Sequence, residues 1–475
     1  MGQSRLAGVE IHIDLSGSRG HRAEIYRQIR AAILDGRIRA GDALPPTREL
    51  AQRLSVSRTT VSAAYDRLTA EGFLAGRIGA GTFVTARPGA RAPEPAGAAD
   101  GVRPLPEWDA VPAPPGPFAP SPEFDFRPGV PDLTRFPFEA WRRLVTQRLR
   151  AGQADLLTYG DPRGLPALRE ELVRHLGVSR DVRAAPEQVV VTAGAQQTTD
   201  LVARVLLRPG DLAAVEDPGY PPPRLVLGSL GVRVAPVPVD DEGIVVAAIP
   251  PGTRLVYVTP SHQYPLGLAM SLERRLELLA WAERAGAVLV EDDYDSEFRY
   301  TGRPLEPLHS LDSRGRVVYV GSFSKVLWPG LRLGFLIAPP TLAPALAKAK
   351  YLADWAAPNL EQAALAAFMA EGGFARHIRR MRKIYRSRHE LVSSVLERDF
   401  ADVLTPLPST AGLHLSALAE QDLGPLVRRA RRAGVRLYSL GDFSVGAERH
   451  GLVFGYGSVP TDRIEPGLAK LRELM

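Results

Sequence analysis

Residues 317–335, VVYVGSFSKVLWPGLRLGF, decide how the larger part of this chain is read. The apolar run Val317 to Val320 predicts a buried β-strand, and GSFSK follows at once as a polar, glycine-led loop. Ser322, Ser324 and Lys325 therefore stand at a strand's carboxyl end, the edge at which open α/β sheets receive ligands. Arg332 and Gly334 come soon after, close enough for a guanidinium to share an anion with the two hydroxyls. Of 59 basic residues only five are lysines, Lys325, Lys348, Lys350, Lys383 and Lys470. In a chain that writes arginine almost everywhere, a retained lysine is a candidate for a place where arginine cannot serve.

Three further strand ends surround this one in the reading. Val189 to Val191 leads through Thr192 to Gly194, Ala195 and Gln196 before a helical pattern begins, which leaves backbone N–H groups free to face an anion. Val288 to Val290 ends in EDDYDSEF, with Asp292 and Tyr294 at its mouth, and another run ends in EDPGY, which contributes Tyr220. Together these parts suit a planar, phosphorylated aldehyde with a cationic ring, namely pyridoxal 5′-phosphate (PLP). Lys325 can lose its proton and form the Schiff base, which arginine cannot. Asp292 would keep the ring nitrogen protonated, Tyr294 would donate to the ring oxygen and Tyr220 would stack on the ring. Ala195, Gln196, Ser322, Ser324 and Arg332 would hold the phosphate.

Outward from this constellation the chain changes character twice. Residues 1–85 hold 12 arginines and no lysine against 8 acidic residues, so +4 of the total +6 charge lies in that head, which suggests a polyanionic partner. Ile25, Ile29 and Ile33 predict a first helix, Leu50, Ala51 and Leu54 a short second one, and Ser57 is placed to cap a third whose buried face is Val61, Ala64, Tyr65 and Leu68. Arg58, Thr59 and Ser62 stand at the exposed start of that third helix, where base edges and phosphates are met in a major groove. Two short apolar runs, Phe73–Leu74 and Thr82–Val84, flank Arg77 and a glycine-bearing tip, which reads as a hairpin wing. Residues 86–122 contain 11 prolines in 37 positions with no apolar period and read as a linker. Residues 123–475 alternate short apolar runs with helical patterns, an α/β body.

Composition narrows the chemistry. There is no cysteine, so disulfides, thiolate metal sites, iron–sulfur clusters and a catalytic thiol are excluded. No export signal and no apolar run of membrane length are seen, so a cytoplasmic protein without a membrane partner is expected. Metalloprotease, P-loop, nucleophile-elbow and dinucleotide fingerprints are missing, and no metal site is expected. His262 in PSHQYP is expected to line the cofactor pocket or pack locally, and the basic run at 378–390 to be a helix face, with DNA as a conceivable second partner.

The head, from IYRQIRAAIL through LPPTREL, SVSRTTV and AYDRL to the glycine-bearing wing, closely resembles the GntR-type winged-helix DNA-binding domain. That resemblance makes Arg48, Arg58, Thr59, Thr60 and Arg77 the expected contacts to double-stranded promoter DNA. TYGDPRGLPALREEL, VTAGAQQ, VEDPGY, TPSHQYPLG, VEDDYDSEF and SFSKVLWPGLRLGF resemble fold-type I PLP enzymes of the aspartate aminotransferase class. The fold so implied is a three-layer α/β sandwich with a small C-terminal α+β subdomain. Head and body in this order look like the MocR family of bacterial transcriptional regulators, which implies a homodimer in which Tyr159 reaches the phosphate of the neighbouring subunit's site.

Two departures from the aminotransferase pattern shape the functional expectation. Tyr264 of YPLG stands where aminotransferases carry the asparagine that bonds the ring oxygen, as in related regulators, and it joins the expected cofactor contacts. Val453 of GLVFGYG aligns with the arginine that forks onto a substrate carboxylate, leaving Arg449 as a nearby substitute. The expectation is a regulator that senses PLP or a PLP–amine adduct rather than a working enzyme, resembling the PdxR-like branch that controls vitamin B6 synthesis. An active aminotransferase with an accessory head and an amino-acid-sensing MocR regulator are the alternatives.

Overall fold

Ile25, Ile29 and Ile33 all fall on one side of helix α1 (His21–Leu34) and are fully buried in the computed structural model of the chain. It describes residues 11–15, 20–77, 80–85, 103–113, 122–150, 156, 158–302, 306–446 and 449–475. These fall into two units, residues 1–105 and 106–475, each built around its own core. Most of the 86–122 linker lies outside the described residues; 103–113 are described and include a 3-10 turn, Pro106–Ala110.

In the first unit α1 is followed by β1 (Ala43–Leu44), α2 (Thr47–Arg53), α3 (Arg58–Ala70), β2 (Leu74–Arg77) and β3 (Gly81–Val84). Ser57 caps α3 by accepting from the Thr60 N–H at 3.1 Å, and Ser55, at φ 53°, makes the tight turn that separates the two short helices. The expected stripe of Val61, Ala64, Tyr65 and Leu68 is buried, with the Tyr65 hydroxyl donating to the Pro45 carbonyl at 2.9 Å. The strands form an antiparallel sheet in the order β1-β3-β2. The first wing strand extends beyond the apolar pair to Arg77, because backbone pairing with Gly81 continues where the side chains have turned polar. The wing-tip residues 78 and 79 lie outside the described residues. Ile11 and Ile13 join this core from the start of the chain, which periodicity did not show.

The second unit runs β4 (Phe124–Asp125), α4 (Phe138–Arg148), α5 (Pro166–Arg180), β5 (Val189–Thr192), α6 (Ala195–Leu206), β6 (Leu212–Asp217), α7 (Pro221–Ser229), β7 (Arg233–Asp240) and β8 (Gly243–Ile244). It continues with β9 (Thr253–Val258), α8 (Leu272–Ala285), β10 (Val288–Asp293), α9 (Leu308–Leu311), β11 (Val317–Ser322), β12 (Gly334–Ile337), α10 (Ala343–Asp354), α11 (Asn359–Ala370) and the long α12 (Gly373–Asp399). The last part is β13 (Thr405–Pro406), β14 (His414–Leu418), α13 (Gly424–Arg432), β15 (Val435–Arg436), β16 (Tyr438–Ser439), β17 (Gly451–Gly455) and α14 (Thr461–Glu473).

Eight strands form one mixed sheet in the order β5-β12-β11-β10-β9-β6-β7-β8, parallel from β11 through β7, with β12 and β8 antiparallel to their neighbours. Alternate residues feed cores on opposite faces: Val189, Val191 and Tyr319 pack on one side, Val190, Val318 and Val320 on the other. Helices cover both faces, which is the three-layer arrangement expected. A four-stranded antiparallel sheet, β13-β14-β17-β16, with α13 and α14 makes the small C-terminal subdomain. Among the described residues no helix is long and apolar enough to cross a membrane.

The cap on α3 carries a direct expectation. Replacing Ser57 by Ala should destabilise the head by about 1 kcal/mol, seen as a lower denaturant midpoint, while Asp at the same position should keep most of that stability.

Candidate functional site

Five strands bring their carboxyl ends to one edge of the large sheet, and the residues just beyond them line a cavity of about 230 Å³. The end of β5 supplies Ala195 and Gln196, that of β6 supplies Tyr220, and that of β10 supplies Asp292 and Tyr294. The end of β11 supplies Ser322, Ser324, Lys325 and Arg332, and the turn after β9 supplies Tyr264. Every cofactor contact expected from the sequence is thus brought to one place except Tyr159, which is 81% exposed, stacks on Trp355 at 4.5 Å and does not line this chain's own cavity. Sequence reasoning missed Thr259, Pro128 and Pro329, which also line it. Thr259 directly follows the apolar run Leu255–Val258, so the strand-end signal that found the others was present for it too.

Lys325 is half-buried, and desolvation pushes its amine below the ordinary lysine range against the pull of Asp295 and Asp292. Its passage depends on Gly129, at φ +72°, where a Cβ would come within 2.8 Å of Nζ. At the ring-nitrogen end, Asp292 accepts from the Tyr257 hydroxyl through one carboxylate oxygen, while its Oδ1 is buried without a partner. Burial pushes this carboxyl up to about 7, opposed mainly by the Tyr257 bond. A cationic ring N–H would satisfy this buried oxygen, which lies on a residue that lines the cavity.

At the phosphate end, Gly194 adopts φ +108° and opens α6 with its first N–H groups toward the cavity. Arg332 takes a left-handed conformation at φ 51° and brings both terminal nitrogens to 3.9 Å from where a Gly194 Cβ would stand. Gly334 permits this closeness, since a Cβ there would lie 2.8 Å from the Gly194 Cα. The residues present therefore fit PLP at its amine-reactive, ring-nitrogen and phosphate ends.

The ring-oxygen side differs from the simple expectation. The Tyr294 hydroxyl donates to the His262 carbonyl at 2.8 Å, so its single proton is already directed away from the cavity. His262 does not line the cavity; its Nδ1 faces both Asp295 oxygens at 3.1 Å, and His414 packs on its ring at 4.7 Å. His262, Asp295 and His414 form the one group of three potential metal ligands among the described residues, all buried. The His262–Asp295 bond and the donation from His414 Nε2 to the Pro265 carbonyl account for the cluster as local packing.

Tyr264 sits edge-on to Tyr220, His414 and Phe443 at 5.2–5.3 Å and closes one wall. Behind it, Val453 is fully buried with Val239, Leu266, Leu268 and Leu440. Its cross-strand partner Ser416 donates to the Pro265 carbonyl at 2.7 Å, which places Val453 on the sheet face toward the Tyr264–Pro265 turn. Arg449 donates to the Val239 carbonyl at 2.6 Å and does not line the cavity.

In the head, Arg48, Arg58 and Thr59 are exposed, and neither arginine has an acidic partner among the described residues. Thr60 is half-buried and shares its hydroxyl with Ser57 at 2.8 Å, while the Arg77 guanidinium lies over the Phe83 ring at 4.7 Å.

Comparison with known proteins agrees with both halves. Residues 21–84 match the bacterial regulatory proteins of the gntR family, and residues 127–421 match aminotransferase class I and II. The probable rhizopine catabolism regulatory protein MocR of Rhizobium meliloti is 38% identical over 95% of this chain and 93% of its own length. The pyridoxine biosynthesis transcriptional regulator PdxR of Corynebacterium glutamicum is 34% identical over 95% of each chain. Among solved structures, the α-aminoadipate aminotransferase LysN of Thermus thermophilus, complexed with a phosphopyridoxyl-leucine adduct, superposes with TM-score 0.68 at 30% identity over 74% of this chain and 91% of its own.

Asp292 and Glu216, raised by burial to about 7 from ordinary values of 3.8 and 4.5, bind protons in the folded state that the unfolded chain has already lost. The cofactor-free protein should therefore lose stability as the pH rises from about 4 to 7, and Asp292→Asn should flatten part of that fall in thermal midpoints. Lys325→Ala should abolish the visible absorption band that borohydride fixes and weaken PLP binding. A band left unchanged in that variant would remove Lys325 from the site.

Proposed function

Because the chain belongs to the MocR family of regulators, in which a GntR-type head precedes an aminotransferase-like body that binds pyridoxal 5′-phosphate, we propose that it senses PLP itself and converts occupancy into a change in promoter binding. When bound, the cofactor supplies an aldehyde for covalent capture by an amine and a cationic ring. The amine of Lys325 would be the capturing group, and desolvation, which lowers its proton affinity against the pull of Asp295 and Asp292, favours the nucleophilic form. Asp292 offers its free oxygen to the ring nitrogen, and Tyr220 and Tyr264 bracket the ring. The N–H groups of Ala195 and Gln196, the hydroxyls of Ser322 and Ser324 and the guanidinium of Arg332 hold the phosphate. Tyr159, exposed on its own chain, completes the cavity of the partner in a homodimer.

One observation carries the choice of a sensor over an enzyme. Val453 faces the Tyr264–Pro265 turn inside a closed apolar cluster, and Arg449 is committed to a backbone carbonyl. Among the described lining residues the cations are Lys325 and Arg332, which are assigned to the aldehyde and the phosphate. A substrate α-carboxylate would meet no guanidinium, so an amino acid bound beside the cofactor would be poorly oriented for turnover. The likeness to PdxR supports the narrower reading that the controlled genes serve vitamin B6 synthesis.

In the head, Arg58 and Thr59 at the start of α3 read base edges while Arg48, Thr60 and Arg77 set the register on phosphates. A ligand changes DNA affinity only if it binds the two DNA-competent states unequally, so saturating PLP should shift promoter affinity or footprint by about five-fold or more. Lys325→Ala should erase that shift while retaining basal DNA binding, and Arg58→Ala should weaken sequence preference in both conditions. A promoter titration repeated with glutamate, alanine and GABA decides the matter: a response to one amino acid, with none to PLP, would overturn the cofactor-sensing reading.

A further inference from the structure

Several of the body's surface arginines sit beside acids, Arg142 with Glu139, Arg174 with Glu171, Arg204 with Asp200 and Arg314 with Glu283, while Arg428, Arg431 and Arg432 of α13 form no ion pair among the described residues. The first half of α12 carries the longer unpaired set. Arg376, Arg379, Arg380 and Lys383 recur at i, i+3, i+4 and i+7 and form one exposed row, with Arg382 and Arg386 exposed beside it. None of the six forms an ion pair with an acidic side chain among the described residues. The opposite face of the same turns, Phe374, His377, Ile378, Met381 and Tyr385, is buried, so the row is held on a rigid support.

Of the acids near the row, Glu390, one turn after Arg386 on the same helix, forms no ion pair among the described residues, and the others are otherwise engaged. Glu371 pairs with Arg143 at 2.6 Å, and Asp132 pairs with the buried Arg388 at 2.6 Å. Glu297 offers Arg382 only its backbone carbonyl, at 2.7 Å, and burial pushes its carboxyl up to about 8. Arg380 and Arg386 likewise donate to the carbonyls of Arg135 and Tyr300. Bonds to carbonyls orient a guanidinium without cancelling its charge, and this leaves an uncompensated row about 15 Å long from Arg376 to Arg386. At about 3.4 Å per phosphate along one strand, a duplex lying on it presents roughly four charges.

We infer that this row is a second duplex-DNA contact, which binds the phosphates of DNA flanking the segment held by the head. The inference rests on the reading that the head binds duplex DNA, and it adds affinity without sequence preference because phosphates carry no base identity.

The side chains of Arg376, Arg379 and Lys383 are exposed and make no hydrogen bond to another residue among the described ones, so the triple variant Arg376→Gln, Arg379→Gln, Lys383→Gln removes charge with little disturbance of the fold. The full chain and this variant are titrated in rising salt against a duplex of about 20 base pairs centred on the operator, and against one of about 60 base pairs. On the long duplex the variant should lose up to about 2.7 units of salt slope, 0.9 for each contact, and bind more weakly; on the short duplex the two proteins should agree. An unchanged slope on the long duplex overturns the inference. So does an equal loss on removing Arg428, Arg431 and Arg432 from α13, exposed cations that form no ion pair among the described residues, since the effect would then be one of net charge. If the unaltered chain fails to bind the short duplex at all, the DNA-binding reading of the head falls first and this one with it.

Discussion

A buried amine governs the architecture of the body. An ammonium out of water must be paired or must lose its proton, and Lys325 is set between those choices: two carboxylates, Asp295 and Asp292, favour its charge while burial and Arg332 oppose it. Its surroundings are shaped to keep it there. Gly129 clears the path of its side chain, Gly194 and Gly334 let two strand ends close around the neighbouring anion-binding edge, and Arg332 adopts a conformation that few non-glycine residues take. At this site unusual backbone conformations at Gly129, Gly194 and Arg332 hold a reactive group and an anion-binding edge close together.

The three consecutive acids on β10 show how strand alternation sorts charge by role. Glu291 and Asp293 share one face and are neutralised by the framework: Glu291 takes the N–H groups of Leu308 and His309 at 2.9 Å with Arg275 nearby. Asp293 takes Arg180, Ser296 and Tyr319. Asp292, pointing the other way, has Tyr257 alone and keeps one oxygen free toward the cavity. Asp293 also keeps one oxygen unpartnered, but it is held in an ion pair with Arg180 and does not line the cavity, whereas Asp292 lines it and forms no ion pair among the described residues, which makes it the binding group of the three.

In the proposed sensing role the body keeps the enzyme-like contacts to ring and phosphate and lacks one recognition element, the carboxylate fork. Ring and phosphate contacts act on the cofactor whether or not a substrate follows, while a carboxylate fork acts on the substrate alone. With an apolar side chain at Val453 and an aromatic wall at Tyr264, the proposed sensor would draw its binding energy from the cofactor, and any work done on the DNA would come from differential affinity for that ligand.

Much of this was legible in the linear chain, for a physical reason. A strand end followed by a short polar loop fixes both the location and the exposure of the next few side chains, so Lys325, Asp292, Tyr294 and the residues of GSFSK could be placed without coordinates. Helix periodicity and the Ser57 cap defined the head in the same local way. Relations between distant segments were not encoded locally and emerged only from packing. They include the Tyr257 bond to Asp292, the turning of the Tyr294 proton toward His262, the packing of Ile11 and Ile13 into the head, and the uncompensated row on α12. The row's residues are written in the sequence, but which acids lie near them, and which of those acids are already engaged, is decided by the fold, because charge compensation depends on distance through space and not along the chain.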